Sequence, residues 1–139
     1  MMNSKEKSLQ QLKIAEHLLS ITFPLVKDPK LLIGIIHNLS SCLDYALESV
    51  LPENMAVPKS LNGKIEFLRH NHHLPEEYVD LIRKIGRLIE FHKKSPVVFK
   101  RGEKQVICND NYDLEVLSAK EIENLIDKTK RLISHIGVI

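Results

Sequence analysis

The chain has no tryptophan, and its 139 residues hold only three tyrosines and four phenylalanines. That is thin for a stacking surface, because single-stranded nucleic acid is gripped by successive aromatic rings. Cysteine is as scarce: Cys42 and Cys108 stand in separate segments and form no CxxC pair. This excludes a disulfide framework and a cysteine zinc knot. Unpaired thiols fit a reducing compartment, so a cytoplasmic location is expected. No apolar run approaches the roughly 20 residues that cross a bilayer, and no membrane partner is expected. The polar start Met1-Met2-Asn3-Ser4-Lys5 reads as no secretory signal. Charge is nearly balanced, 20 basic against 18 acidic side chains, so no global field selects nucleic acid or lipid. Phosphate-loop, GxGxxG, GxSxG, HExxH and EF-hand patterns are all missing.

What remains is the balance of a soluble globular protein, 43% hydrophobic and 27% charged. One domain spanning 1–139 is expected, long enough to bury a core without staples. Helical periodicity dominates. From Ser8 to about Thr22, two seams, Leu12/Ala15/Leu19 and Ile14/Leu18/Ile21, predict a helix with a wide buried face. Pro24 should kink or end it, since proline lacks an amide donor and clashes with the preceding turn. Asp28 and Pro29 then supply a cap and a first-turn proline. The stripe Leu32, Ile36, Leu39, Leu43, Ala46, Val50 runs on to a connector from Pro52 to Pro58. A shorter helix is predicted from Ser60 to about His70, weakened by Gly63.

Leu74-Pro75-Glu76-Glu77 opens the fourth helix, because proline and early acids favour an N-terminus. Its stripe is Tyr78, Ile82, Ile85, Ile89 and His92, widened by Leu81, Leu88 and Phe91. Ser95-Pro96 breaks the helical period. Val97-Val98-Phe99 and Gln105-Val106-Ile107-Cys108, joined through Gly102, read as a β-hairpin over about 97–108. Asn109 to Asn111 is a loop, and Tyr112 to Leu117 has extended character. Ser118 and Glu121 have capping-box spacing, and the last helix follows with Ile122, Ile126, Thr129, Ile133 and Ile136. The expected fold is all-α: an antiparallel bundle of four to five helices with a small β-hairpin inserted before the last helix. Such long stripes leave apolar surface for a second copy, so a homodimer is expected.

Charge is locally uneven. Residues 59–104 hold 11 basic and 6 acidic groups, and Arg83, Lys84, Arg87, Lys93, Lys94, Lys100, Arg101 and Lys104 face only Glu90 and Glu103 along the chain. Such a cluster can attract RNA or another phosphate-bearing ligand, although cations closing a helix also answer its dipole. His70, His72 and His73 form a His-rich turn, but no pattern completes the three or four ligands of a metal site. Glu16 and His17 are adjacent rather than spaced as Glu-x-x-His, which excludes a ferritin-like di-iron centre. No metal and no other cofactor is expected.

Arg87-Leu88-Ile89-Glu90-Phe91-His92 resembles the R-x4-6-H motif of HEPN domains. These are small helical bundles, many of them metal-independent ribonucleases and others non-catalytic binders of RNA or nucleotides. The resemblance implies that His92 moves a proton at a ribose 2′-hydroxyl while Arg87 stabilises charge on the phosphate. It also implies a site composed of two copies across a dimer. On a regular helix, five residues turn about 500°, leaving Arg87 and His92 about 140° apart. They converge only if the helix unwinds near His92. Through Ala15-Glu16-His17-Leu18-Leu19, Pro24 to Leu32 and Val106-Ile107-Cys108, most of the chain also resembles a family of small archaeal helical-bundle proteins with no known activity. The combined reading is a non-catalytic interaction or RNA/nucleotide-binding module. The alternatives are a HEPN-type endoribonuclease, and a structural or regulatory subunit for a protein partner.

Overall fold

The computed structural model describes residues 2–95 and 97–139. The first helix, α1 (Ser4–His17), begins four residues before Ser8 because the Asn3 side chain accepts the Glu6 amide at 2.8 Å. Regular α geometry gives way just before Pro24, where a kink or an end of the helical path is expected. A π-turn (Leu18–Thr22) leads into α2 (Phe23–Val26), with the Phe23 N–H donating to the Leu18 carbonyl. The wider turn absorbs a residue whose ring and missing N–H do not fit regular α geometry. The path stops at Lys27, which is left-handed at φ 53°. Of the two predicted seams, Leu12 and Ala15 are buried, whereas Ile14 and Ile21 are exposed. The buried face is therefore narrower than expected.

The central element is α3 (Lys30–Val50). Asp28 accepts the Lys30 amide at 3.0 Å, as a cap should. Leu32, Ile35, Ile36, Leu39, Cys42 and Ala46 are buried along it, and α1, α5 and α6 all pack against it. The buried Ser8 hydroxyl donates to the Cys42 carbonyl at 2.8 Å, tying α1 to α3. Helix α4 (Leu61–His72) is capped by Ser60, which accepts the Gly63 amide. It approaches α5 (Glu76–Lys93) closely at Gly86, where a Cβ would lie 3.1 Å from Leu61 Cδ2.

The buried side of α5 is Val79, Leu81, Ile82, Ile85 and Leu88. Tyr78, Ile89, Phe91 and His92 are only partly covered, so the core-facing side is rotated from the predicted stripe. Helix α6 (Ala119–His135) buries every predicted stripe residue together with Leu125 and Leu132. Ser118 accepts the Glu121 amide at 3.2 Å, half of the expected capping box. The Glu121 carboxylate turns instead to Lys84, at 2.7 Å. No helix among the described residues is long and apolar enough to cross a membrane.

The fold is mostly helical with a small antiparallel sheet before the last helix, roughly consistent with the expected all-α bundle and its hairpin. The predicted hairpin, β1 (Val97–Arg101) and β2 (Lys104–Cys108), gains a third strand, β3 (Leu114–Leu117), in an antiparallel sheet of order β1-β2-β3. Pro96, half of the expected helix break, lies outside the described residues; α5 itself ends at Lys93. Gly102 takes φ 62° in the two-residue turn, a conformation costly for any side chain with a Cβ. Strand alternation and register put Val98, Lys100, Gln105, Ile107, Glu115 and Leu117 on one face. Ile107 and Leu117 carry that face into the helical core.

Candidate functional site

The fold neutralises three cations of the basic cluster that the linear chain suggested, Lys84, Arg87 and Lys93. Helix α5 turns Leu88 into the core, which leaves Arg87 outside. The guanidinium of Arg87 forms an ion pair with Glu115 of β3. Lys84 is paired with Glu121 at the start of α6, and Lys93 lies 3.6 Å from Glu90. Two of the three neutralising carboxylates come from more than 25 residues away, so the local count that left only Glu90 and Glu103 as partners does not hold. Among the described residues, no ion pair engages Arg83, Lys94, Lys100, Arg101 or Lys104. The last three stand at the tip of the hairpin, and the Arg101 guanidinium lies 5.9 Å from the Phe99 ring centroid.

Arg87 and His92 do not come together on α5. The helix stays regular through Lys93, so no unwinding brings them to one side. His92 faces α3 instead, edge-on to His37 with ring centroids 5.7 Å apart. Partial burial pushes the His37 pKa down, and the neighbouring His92 and Lys93 push it further the same way. A neutral imidazole is thus favoured at His37. The His-rich turn is occupied structurally. His73 closes α4 in a left-handed conformation, and the His135 ring donates from Nε2 to the His72 carbonyl at 3.0 Å. Among the described residues, no three His, Cys, Asp or Glu side chains converge as metal ligands would.

The most distinctive surface was not legible as a site. The second face of the sheet carries Val97, Phe99 and Arg101 from β1, Lys104, Val106 and Cys108 from β2, and Leu114 and Val116 from β3. Val106, between its register partners Phe99 and Val116, is fully buried, yet Val97, Phe99, Leu114 and Val116 are all exposed. An antiparallel sheet with one watered face alternates apolar and polar residues. This one does not: Val97-Val98-Phe99 and Val106-Ile107-Cys108 are apolar at every position. The run could have signalled two covered faces, but the hairpin alone did not say which face meets the helices.

A groove of about 490 Å³ opens between the π-turn, α2 and α6. Leu19, Phe23, Pro24 and Ile126 line it, with Glu16, Glu123, Asp127, Lys120 and Lys130 also at its walls. The charges there are mixed in sign and select no ligand class.

No family model, curated protein or solved structure matches this chain. Function is therefore read from the site alone.

Proposed function

We propose that the chain is a non-catalytic interaction module whose contact surface is the outer face of the sheet. One observation carries this reading: Val97, Phe99, Leu114 and Val116 stand exposed around the buried Val106 on the sheet face that does not join the helical core. Exposed apolar patches on a small protein mark contact sites more often than accidents. Catalysis by Arg87 and His92 draws no such support. A proton-moving histidine and its charge-stabilising arginine must reach one phosphate, and these two side chains are engaged with Glu115 and His37. The test is incubation of purified protein with single-stranded RNA. Intact RNA, unchanged by His92→Ala, is the expected result. Cleavage that His92→Ala abolishes in a folded protein would restore the HEPN-type ribonuclease reading.

RNA or nucleotide binding is the second reading, favoured by the cations at the hairpin tip and by Phe99 beneath Arg101. Stacking and phosphate contact would then share one surface. Fluorescence anisotropy with a labelled single-stranded RNA checks it. Affinity that falls steeply with salt, and falls again in Lys100→Ala/Arg101→Ala/Lys104→Ala, would support it.

A further inference from the structure

We infer that the occupant of the outer sheet face is a second copy of this chain, packed face to face about a two-fold axis perpendicular to the strands. The inference rests on the interaction-module reading above and adds the partner and the geometry.

Two features choose this occupant. The first is chemical. The face offers Val97 (49% exposed), Phe99 (38%), Leu114 (51%) and Val116 (40%) around the buried Val106, four aliphatic side chains and one aromatic ring. A base-stacking platform needs several rings. An aliphatic sheet face instead matches another such face, since two sheets bury their inner side chains between them in a sandwich.

The second is electrostatic. The sheet layer is polar along its strands: Lys100, Arg101 and Lys104 surround the β1–β2 turn, with Glu103 inside it. Asp110 and Asp113 sit in the β2–β3 loop at the opposite end, where the Asn109 carbonyl accepts the Tyr112 amide and the Asn109 amide donates to the Asp113 carbonyl. The chain enters β1 at that end too, after Lys93, which lies 3.6 Å from Glu90, and Lys94, while Arg87 of α5 meets Glu115 on the inner face of the sheet. A two-fold axis parallel to the strands would set basic tip over basic tip. An axis perpendicular to them sets each basic tip over the partner's acidic loop, and the same patch serves both copies, as an isologous interface requires. Tyr112, 87% exposed in that loop, stands at the margin of the contact.

The competing apolar surface is Ile14, Ile21, Leu25 and Val26 on α1, the π-turn and α2. Around it stand Lys13, His17 and Lys27, intermixed with Glu16 and Asp28, so its charge is not separated into a basic and an acidic end as that of the sheet is.

The experiment is sedimentation of the full chain over a wide dilution series, with circular dichroism as the check on folding. Wild type should reach twice the chain mass of 16.0 kDa. Val116→Lys should weaken self-association on the order of 100-fold while the helical signal is kept, because it places a charge inside the contact. Phe99→Lys serves as the second variant if Val116→Lys loses its fold. Leu25→Lys should leave the dimer intact. Arg101→Glu/Lys104→Glu should weaken it about tenfold, and adding Asp110→Lys should recover part of the loss. A wild type that stays monomeric throughout overturns the inference, as does a dimer broken by Leu25→Lys and not by Val116→Lys. A monomer that binds RNA through Phe99 gives the face to nucleic acid and also overturns it. The interaction-module reading fails separately, through RNA cleavage that depends on His92.

Discussion

The helical body and the sheet use the same residue types to different ends. On α3, Leu32, Ile35, Ile36 and Leu39 are closed off by α1, α5 and α6, and hardly any of their surface meets water. On the sheet, valine and leucine occupy both faces, and only the face bearing Ile107 and Leu117 joins the core. Burial of apolar area stabilises by about 25 cal/mol per Å² wherever it occurs. The body has already gained that energy within one chain, whereas Val97, Phe99, Leu114 and Val116 of the outer sheet face remain exposed.

The contrast can be broken first at its strongest point. Leu39→Ala should cost roughly 3 kcal/mol in chemical denaturation, because it empties a site that neighbours cannot refill. Val116→Ala at low protein concentration should stay within about 0.5 kcal/mol. An equal loss at both positions under dilution would mean that the outer face is already covered within the monomer. Ser8→Ala should cost about 1 kcal/mol, the value of a hydrogen bond that joins α1 to α3 in the core.

The His37–His92 contact sharpens the comparison by pH. His37 is held toward its neutral form in the native state, while the unfolded chain binds a proton at about pH 6.5. The full contribution is present above that pH and is lost as pH falls through the depressed native value. Urea midpoints should therefore decline as pH drops from about 7, and His37→Gln should flatten that part of the profile. A midpoint that rises on acidification would show that the pair is charged in the native state. Smallest of all is the exposed ion pair between Arg87 and Glu115. A double-mutant cycle with Arg87→Gln and Glu115→Gln should give coupling of about 0.5 kcal/mol, fading in salt.

Local signals proved the readable ones. Asp28 before Pro29, Ser60 and Ser118 mark real helix starts, because a cap depends on residues two or three positions away. The α6 stripe is buried as predicted, since one strongly amphipathic face has one place to go. Where two faces compete, periodicity does not choose between them. Ile14 and Ile21 are spaced as well as Leu12 and Ala15, and only packing against α3 decided which pair is covered. The rotation of α5 toward Leu81 and Leu88 has the same origin. Pro24 marks an interruption, as a proline should, but its form as a π-turn was not legible in the residues.

The candidate site divides along the same line. Single residues determined which side chains could be cations, rings or proton carriers, and a 3.6-residue turn already set Arg87 and His92 on different sides of one helix. Their partners were beyond reach of such reasoning. Glu115, Glu121 and His37 arrive from other segments, and charges distant in sequence meet only when strands and helices pack. Short-range periodicity and capping thus made the helices, because those interactions span a turn or two of backbone. Tertiary packing decided which apolar faces were used up and which was left open, because burial is shared among whole elements.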